Sequence, residues 1–355
     1  MSANQENPGK QEQRGRRRAA TARLVYVNEF DKGYRRRKHG RGFLYLSTRG
    51  KPLRSKQTLQ RIKQLAIPPA WTEVWICPKT NGHIQARGRD QAGRRQYIYH
   101  PRWAAVSAAA KFDRLAVLAA VLPRIRRRVR RDLRGDKLTK KRVTAAAIRL
   151  IDKAGIRVGN EVYTRTHGTR GVTTLGPEHV EIEDMTVSLE FPGKSGKRRD
   201  IDLRDQKLAS IIDRCEDIGG QFLFCYRDDD DGYQPLDSGD VNDYLLEVAR
   251  EPITAKDFRT WAGSVHALKL LSAESPVVTE RGRRKRVIAA VKATAELLGN
   301  TPAVCRNSYI HPALLAAAES GELDQLLHAA RAHCKQVAEL TVDECRFAAL
   351  LPHLA

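Results

Sequence analysis

The sequence lacks any apolar run of the length that a membrane-spanning helix needs. About 18 residues are required to cross a bilayer, and the longest apolar stretch, Leu115 to Leu122, is far shorter. The N-terminus begins Met-Ser-Ala-Asn-Gln-Glu and does not contain the apolar segment of a signal peptide. We therefore expect a soluble, cytoplasmic protein with no membrane partner.

Cysteine pairs with metal-site spacing are also absent. Six cysteines are scattered through 355 residues, and no two of them form a C-x-x-C pair. This pattern argues against a zinc ribbon and against a disulfide framework. No H-E-x-x-H or G-x-S-x-G segment occurs, so the sequence contains no metalloprotease or serine-hydrolase motif.

Acidic residues are too few to balance the basic ones. The chain has 41 Asp and Glu against 64 Lys and Arg, which gives a net charge of +23. Such an excess needs a polyanionic partner, and the absence of a membrane segment favours nucleic acid. Because 41% of the residues are hydrophobic, most of the chain should nevertheless fold around a core.

The residue pattern predicts an α+β chain with three parts. Residues 1–22 are rich in Gln, Gly and Arg without an apolar period, which predicts a basic disordered arm. Residues 23–105 are predicted to form a small β-rich N-terminal domain. Residues 106–355 are predicted to form a larger, mainly α-helical domain that contains one β-hairpin.

Period-2 and period-3.6 patterns place the individual elements of these domains. The predicted strands are Leu24–Val27, Gly42–Leu46, Glu73–Cys77, His83–Ala86 and Gln96–Tyr99, and the predicted hairpin pairs Val187–Phe191 with Arg199–Leu203. The predicted helices are Ser55–Leu65, Ala104–Leu122, Arg124–Arg142 with an interruption at Gly135, Thr144–Lys153, Asp240–Glu251, Ala255–Ser272, Arg284–Leu298 and Pro312–Arg331.

Four segments of the helical domain each carry a cation, an amide or a phenol. They read I-R-V-G-N at 156–160, F-P-G-K at 191–194, K-D-F-R-T at 256–260, and G-N-T-P at 299–302 followed by S-Y at 308–309. Cleaving a phosphodiester without a metal requires a nucleophilic oxygen, donors to the non-bridging oxygens and an acid for the leaving oxygen. One such residue alone proves little, and the signal lies in the order and spacing.

In this order the segments resemble those of the type IB DNA topoisomerases, in their compact poxvirus and bacterial branch. The family's Arg, Lys, Arg, His or Asn, and Tyr correspond here to Arg157, Lys194, Arg259, Asn300 and Tyr309. The resemblance extends from about Leu24 to the C-terminus. It implies relaxation of supercoiled duplex DNA by a clamp-shaped, monomeric, nucleoid-associated enzyme. Residues 23–105 would be its DNA-binding domain and residues 106–355 its catalytic domain.

The resemblance also implies a mechanism. Tyr309 attacks a backbone phosphate, a 3′-phosphotyrosyl intermediate forms, and the released 5′-hydroxyl later reseals the strand. No ATP is required, and a divalent metal is not needed for the chemistry, although it can stimulate the rate. Arg157 and Arg259 are suited to the phosphate oxygens because guanidinium groups stay charged.

The resemblance also implies roles for Lys194, Lys256 and Asn300. Lys194 is the candidate general acid. Lys256 is either close to the same proton path or a phosphate contact. Asn300 stands where poxvirus members have histidine, and its amide can donate a hydrogen bond but cannot supply a proton. Asn300 is therefore assigned to oxyanion stabilisation.

A segment of the β-rich domain, Gly93 to Tyr99, resembles the family segment that docks into the DNA major groove. Its candidate DNA-binding residues are Arg94, Arg95, Gln96, Tyr97 and Tyr99. Strand alternation puts the two tyrosines on one face. The alternative is that both tyrosines belong to the sheet core.

Two other functions remain open. A tyrosine recombinase shares the Arg, Lys, Arg and Tyr chemistry, but it typically has a histidine where this chain has Lys256. A non-enzymatic nucleoid-binding protein would need only the charge and the aromatic strands. In the topoisomerase, the arm and the segment Arg124–Arg142 are expected to grip the DNA backbone.

Overall fold

The computed structural model describes residues 8–28, 31–40, 42–91, 93, 95–161, 164, 168–193, 196–228, 232–273 and 279–354, without the side chains of residues 8–12, 14, 104, 105 and 107–110. Helices and antiparallel sheets together confirm the predicted α+β class. The chain divides into two compact units, Met1–Lys111 and Phe112–Ala355, whereas the sequence placed the boundary after residue 105. No helix in the described ranges has the length and apolarity that crossing a membrane demands.

The basic N-terminal segment contains a helix. Helix α1 (Pro8–Thr21) is followed by a turn, and Ala19 and Ala22 are buried together with Leu24 against Trp103. The prediction of a disordered arm over residues 1–22 is therefore wrong for residues 8–21. Arginine and alanine both have high helix propensity, and a small alanine face is enough to pack the end of this helix.

A five-stranded antiparallel sheet forms the centre of the first unit. Its strands are β1 (Tyr34–His39), β2 (Gly42–Leu46), β3 (Thr72–Ile76), β4 (Ile84–Arg89) and β5 (Arg95–Tyr99), in the spatial order β2-β1-β3-β4-β5. Helix α2 (Lys56–Gln64) lies between β2 and β3 in the chain and begins at Ser55, whose hydroxyl accepts the N–H of Thr58. Ile62 of this helix packs into the apolar cluster of the sheet.

The strands of this unit differ from the prediction in two places. Strand β1 was not predicted, because its sequence Tyr-Arg-Arg-Arg-Lys-His carries no apolar alternation; it forms by pairing with both β2 and β3. Conversely, the predicted strand Leu24–Val27 is reduced to one isolated bridge between Val25 and Gly82.

Helices dominate the second unit. Its elements are α3 (Pro101–Asp132, which begins in the first unit), α4 (Lys140–Ala154), β6 (Val180–Glu183), β7 (Thr186–Pro192), β8 (Arg198–Arg204), α5 (Gln206–Glu216), β9 (Cys225–Arg227), β10 (Tyr233–Pro235), α6 (Ser238–Ala249), α7 (Ala255–Ser272), α8 (Glu280–Leu298), α9 (Pro302–Ser308), α10 (Pro312–Ser320), α11 (Leu323–Arg331) and α12 (Val342–Leu350). The predicted hairpin is confirmed as β7 and β8, with Leu189 opposite Ile201. The predicted helix Pro312–Arg331 is instead two helices, because Gly321 adopts a left-handed conformation with φ +91.

A buried polar network ties helix α7 to its neighbours. The indole N–H of Trp261 donates to Glu344 at 2.9 Å. Arg126 donates to both oxygens of Glu344, at 2.7 and 2.8 Å, and to both oxygens of Asp152, at 2.7 and 2.9 Å. Burial alone would raise the pKa of Glu344, but the hydrogen bonds and charge of Arg126 hold that pKa below its ordinary value. The network therefore joins α3, α4, α7 and α12.

Several arginines of the basic segment Arg124–Arg142 are also ion-paired or buried within the protein. Arg128 pairs with Asp132 at 2.7 Å, Arg130 pairs with Glu339, and Arg142 is buried. The expectation that the whole segment grips DNA is wrong for these arginines and for Arg126. The ion pairs of Arg126, Arg128 and Arg130 stabilise the second unit, whereas burial lowers the pKa of Arg142, which has no carboxylate partner among the described residues.

Replacing Glu344 by alanine should lower the free energy of unfolding by about 3 kcal/mol, because a buried arginine loses one of its two carboxylates and a buried indole N–H loses its acceptor. Urea unfolding followed by circular dichroism measures the change. Since the pKa of Glu344 is depressed in the folded state, the wild-type advantage should be present above the ordinary value of 4.5 and decline as the pH falls.

The matched control is Glu247→Ala. Glu247 is 60% exposed and also pairs with an arginine of α3, Arg128 at 3.2 Å. An exposed pair contributes about 0.5 kcal/mol. Equal losses in the two variants would contradict the role assigned to Glu344.

Candidate active site

Arg259 connects the C-terminal ends of two helices. It lies in α7 and is 3% exposed. Its Nη1 donates to the carbonyl of Gly155 at the end of α4, and its Nη2 donates to the carbonyl of Leu298 at the end of α8, at 2.8 Å. Carbonyls at helix C-termini carry the negative end of the helix dipole. They therefore stabilise this buried cation without a carboxylate.

The same two helix ends lead into the segments of Arg157 and Asn300. Gly155 and Gly299 end α4 and α8 in the left-handed conformation. Nη2 of Arg157 then donates to Oδ1 of Asn300 at 2.5 Å. By holding both helix ends, Arg259 brings together two candidate site residues that are 143 positions apart.

Tyr309 directly follows helix α9. Its backbone N–H donates to the carbonyl of Cys305 at 2.9 Å. The guanidinium carbon of Arg259 lies 5.0 Å from the centroid of the tyrosine ring. The structure therefore places the candidate nucleophile beside a candidate phosphate-binding cation, as the order of the motifs predicted.

Positive charge dominates this site. Burial raises the pKa of the Tyr309 phenol, but the charges of Arg259 and Arg157 lower it more, so that the pKa lies below its ordinary value. The pKa of Arg259 is lowered to about 10, first by burial and then by repulsion from Arg157. These pKa shifts indicate that the surrounding protein does not fully neutralise the positive charge of the site.

The described residues provide no carboxylate counter-charge for these cations. Within the described ranges, no carboxylate forms a salt bridge with Arg157, Arg199 or Arg259. The Nε–H of Arg259 is buried and has no acceptor among the described residues. A buried donor without an acceptor costs about 1–3 kcal/mol, and a bound anion such as a phosphodiester would satisfy both the donor and the charge.

Arg199 was missed by the sequence reasoning. It lies on β8, is 9% exposed, and donates to the carbonyls of Glu296 at 3.2 Å and Leu297 at 3.0 Å near the end of α8. Burial and the nearby Arg157 lower its pKa. In the sequence it is the last of three consecutive cations, Lys197 to Arg199, and it begins the second predicted strand of the hairpin, which gives no sign of burial.

The structure describes only one of the two candidate lysines, Lys256. Lys256 is exposed in the first turn of α7, and its charge contributes to the lowered pKa of Tyr309. Lys194 lies outside the described residues. The hairpin that carries it is paired as far as Pro192 opposite Arg198.

In the first unit, the structure separates the candidate DNA-binding residues into two groups. The rings of Tyr97 and Tyr99 stack with centroids 5.9 Å apart, and Tyr99 is 45% exposed. By strand alternation Gln96 lies on the opposite face with Ile98, which packs against the core, and the Gln96 amide donates to Asp90 at 2.8 Å. The two tyrosines therefore do not form the sheet core.

One basic candidate of this strand lines a cavity. Arg95 is exposed at the start of β5, and Arg94 lies outside the described residues. A cavity of about 400 Å³ is lined by Arg35, Glu73, Trp75, Arg87, Gly88, Arg89, Arg95 and Tyr97. A concave surface with this many arginines suits an anionic ligand.

Comparisons with known proteins identify the family. The family described as eukaryotic DNA topoisomerase I, catalytic core, matches residues 101–334, and the family described as bacterial DNA topoisomerase IB, N-terminal domain, matches residues 42–90. DNA topoisomerase 1B of Acanthamoeba polyphaga mimivirus is 32% identical over 78% of this chain and 85% of its own length. The chain belongs to the type IB DNA topoisomerase family.

Other DNA topoisomerases match over different lengths. DNA topoisomerase I of Monkeypox virus is 25% identical over 73% of this chain and 80% of its own length. DNA topoisomerase 1 of Mycosarcoma maydis is 31% identical, but the match covers only 44% of this chain and 17% of the fungal protein. The family resemblance is thereby confirmed, and the recombinase alternative has no support in these matches.

In this type IB topoisomerase, Arg157→Gln should raise the pKa of the Tyr309 phenol toward its ordinary value, because one of the cations that lower it is removed. The pKa can be measured by NMR titration of protein labelled with ¹³Cζ-tyrosine, with Tyr309→Phe used to assign the resonance. Arg198→Gln removes an exposed arginine that pairs with Glu190 and should leave this pKa unchanged. A Tyr309 pKa that does not respond to Arg157→Gln would contradict the electrostatic account.

Proposed function

We propose that this chain relaxes supercoiled duplex DNA by cutting and resealing one strand through a covalent link to Tyr309. The observation that carries the proposal is the placement of the Tyr309 phenol against Arg259, in a site whose guanidinium groups have no carboxylate partner in the described ranges. Family membership supports the same activity.

In the proposed cleavage step, the phenolic oxygen of Tyr309 attacks a backbone phosphorus. A bond forms between this oxygen and the phosphorus at the 3′ end, and the bond from phosphorus to the 5′ oxygen breaks. The phenol loses its proton to solvent, which its lowered pKa favours. The departing 5′ oxygen takes a proton from Lys194 and becomes a 5′-hydroxyl.

Resealing is the reverse of this step. After the cut strand has rotated about the intact one, the 5′-hydroxyl attacks the phosphotyrosyl bond and releases Tyr309. The energy of the phosphodiester is retained in the protein link, so no ATP is consumed. The guanidinium groups can stabilise the transition-state charge directly, so a divalent metal is not required, and it would affect the rate through DNA release.

Each remaining site residue has a proposed role. Arg157 and Arg259 bind the two non-bridging oxygens, for which the paired donors of guanidinium are suited. Asn300, whose carbonyl oxygen accepts from Arg157, donates from its amide nitrogen to the same phosphate. Lys256 adds positive charge near the leaving oxygen.

We propose duplex DNA as the partner of the first unit as well. The exposed pair Tyr97 and Tyr99, together with Arg95 and Gln96, would contact the groove, and the two units would enclose the duplex as a clamp. A monomer associated with the nucleoid is sufficient for this reaction, because every proposed catalytic residue comes from one chain.

Tyr309→Phe should abolish relaxation of supercoiled plasmid in EDTA without ATP, because the variant has no nucleophilic oxygen. Gel electrophoresis should show a ladder of relaxed topoisomers for the wild type and unchanged supercoiled plasmid for the variant. A wild-type protein that binds the plasmid without relaxing it would instead support the non-enzymatic nucleoid-binding function. Relaxation by Tyr309→Phe would show that another residue is the nucleophile.

We propose that exposed cations outside the Arg126 network contact the DNA backbone. Lys285 and Lys292 of α8 are exposed and stand seven residues apart, which places them on one face of the helix. Arg281 is exposed on the same side, whereas the exposed Arg284 pairs with Glu280 at 2.6 Å. This face leads along α8 toward Asn300 at its end, so it is a candidate contact for phosphates near the cleaved one.

Replacing Lys285 and Lys292 together by alanine should reduce the salt dependence of DNA binding. Each lost phosphate contact lowers the slope of log K against log salt by about 0.9, so a total change of about 1.8 is expected. Fluorescence anisotropy at several salt concentrations measures the slope. The matched double variant Arg128→Ala and Arg130→Ala removes the same charge from internal ion pairs and should lower stability without changing the slope.

A further inference from the structure

Ser264 joins helix α7 to the backbone around the nucleophile. Its side chain is fully buried, at 0% exposure. Its hydroxyl donates to the carbonyl oxygen of Tyr309 at 3.3 Å and accepts the N–H of His311 at 3.0 Å. None of the chemical steps proposed above uses this hydroxyl, yet it satisfies the two backbone groups on either side of Ile310.

Gly263 allows the helix to approach this closely. A Cβ atom at position 263 would lie 2.6 Å from the carbonyl oxygen of Tyr309 and 3.1 Å from Cδ1 of Leu298. The first distance is shorter than real Cβ contacts, so any side chain here would push the backbone of Tyr309 away. Helix α7 and the nucleophile segment are therefore in direct backbone contact.

The same face of α7 holds both the phenol and the main chain of Tyr309. Arg259 and Gly263 are four residues apart and thus lie on one side of the helix. Arg259 contacts the ring, while Ser264 binds the carbonyl that follows it. On its other side, Tyr309 is fixed by its N–H bond to Cys305.

We propose that Ser264 is a positioning residue, whose hydroxyl holds Tyr309 in line with the phosphate that Arg259 and Arg157 bind. The proposal rests on the proposed function, since it presumes that Tyr309 attacks DNA. The hydrogen bonds to Ser264 and Cys305 and the contact with α7 hold the main chain of Tyr309. The phenol can therefore move only by rotation about its own side-chain bonds. A displacement of about 1 Å at a reacting atom can lower a rate by about 100-fold.

The test is single-turnover cleavage of a suicide duplex by Ser264→Ala at saturating protein. We expect the cleavage rate constant to fall by about 10- to 100-fold, with an unchanged dissociation constant for uncleaved DNA. Resealing should slow by a similar factor, because both directions pass through the same transition state. Hydrogen exchange at the His311 amide should accelerate, since its acceptor is lost.

These readouts distinguish positioning from a general loss of structure. A partly unfolded protein would lower the amplitude of cleavage and weaken DNA binding, without a slower rate constant in the folded fraction. Wild-type cleavage by Ser264→Ala, or a loss confined to amplitude and binding, would overturn the proposal. Gly263→Ala provides a second variant, which should reproduce the slow cleavage by displacing the Tyr309 carbonyl.

The matched control is Ser272→Ala on the same helix. The Ser272 hydroxyl donates only within α7, to the carbonyls of Leu268 at 2.9 Å and Lys269 at 3.4 Å, and its loss should leave cleavage unchanged. Tyr309→Phe distinguishes a failure of the proposed function from a failure of the role proposed for Ser264. If that variant still forms a covalent complex, the proposed function fails, whereas a slow Ser264→Ala with an inactive Tyr309→Phe supports both.

Discussion

The bridge that Arg259 makes between two helix ends is the constraint on which the site depends. The carbonyls of Gly155 and Leu298 belong to helices that are far apart in the chain, and one buried guanidinium holds them both. This geometry fixes the starting points of the segments that carry Arg157 and Asn300. Since the carbonyls stabilise the cation without cancelling its charge, the site remains positive and suited to a phosphodiester.

The large basic excess serves at least three purposes. Arg126 and its neighbours in α3 are neutralised by carboxylates and stabilise the helical unit. The site arginines are balanced by backbone carbonyls alone and are left to bind an anion. Exposed cations such as Lys285 and Lys292 are the ones proposed to contact the DNA backbone. A net charge indicates only that a polyanion is needed, whereas the partner of each cation decides what that cation does.

Local patterns predicted the elements that their own residues specify. Helix Ala255–Ser272 and the β7–β8 hairpin have the predicted positions, because apolar periodicity and turn residues are properties of the segment itself. Strand β1 was invisible, since its pairing is supplied by two neighbours rather than by its six mostly charged residues. Helix α1 was missed for a similar reason: its short alanine face needs Trp103 to pack against.

The sequence by itself determined the chemical parts: a tyrosine, two arginines, an amide and the order that marks a type IB topoisomerase. Order along the chain survives in a one-dimensional pattern, so family membership was recognisable from it. Only the tertiary structure decided which cations are free, that Arg199 joins the site, and that Ser264 fixes the backbone of Tyr309. Those features depend on contacts between residues that are far apart in the chain, and burial and pairing are decided by the folded neighbours of each side chain.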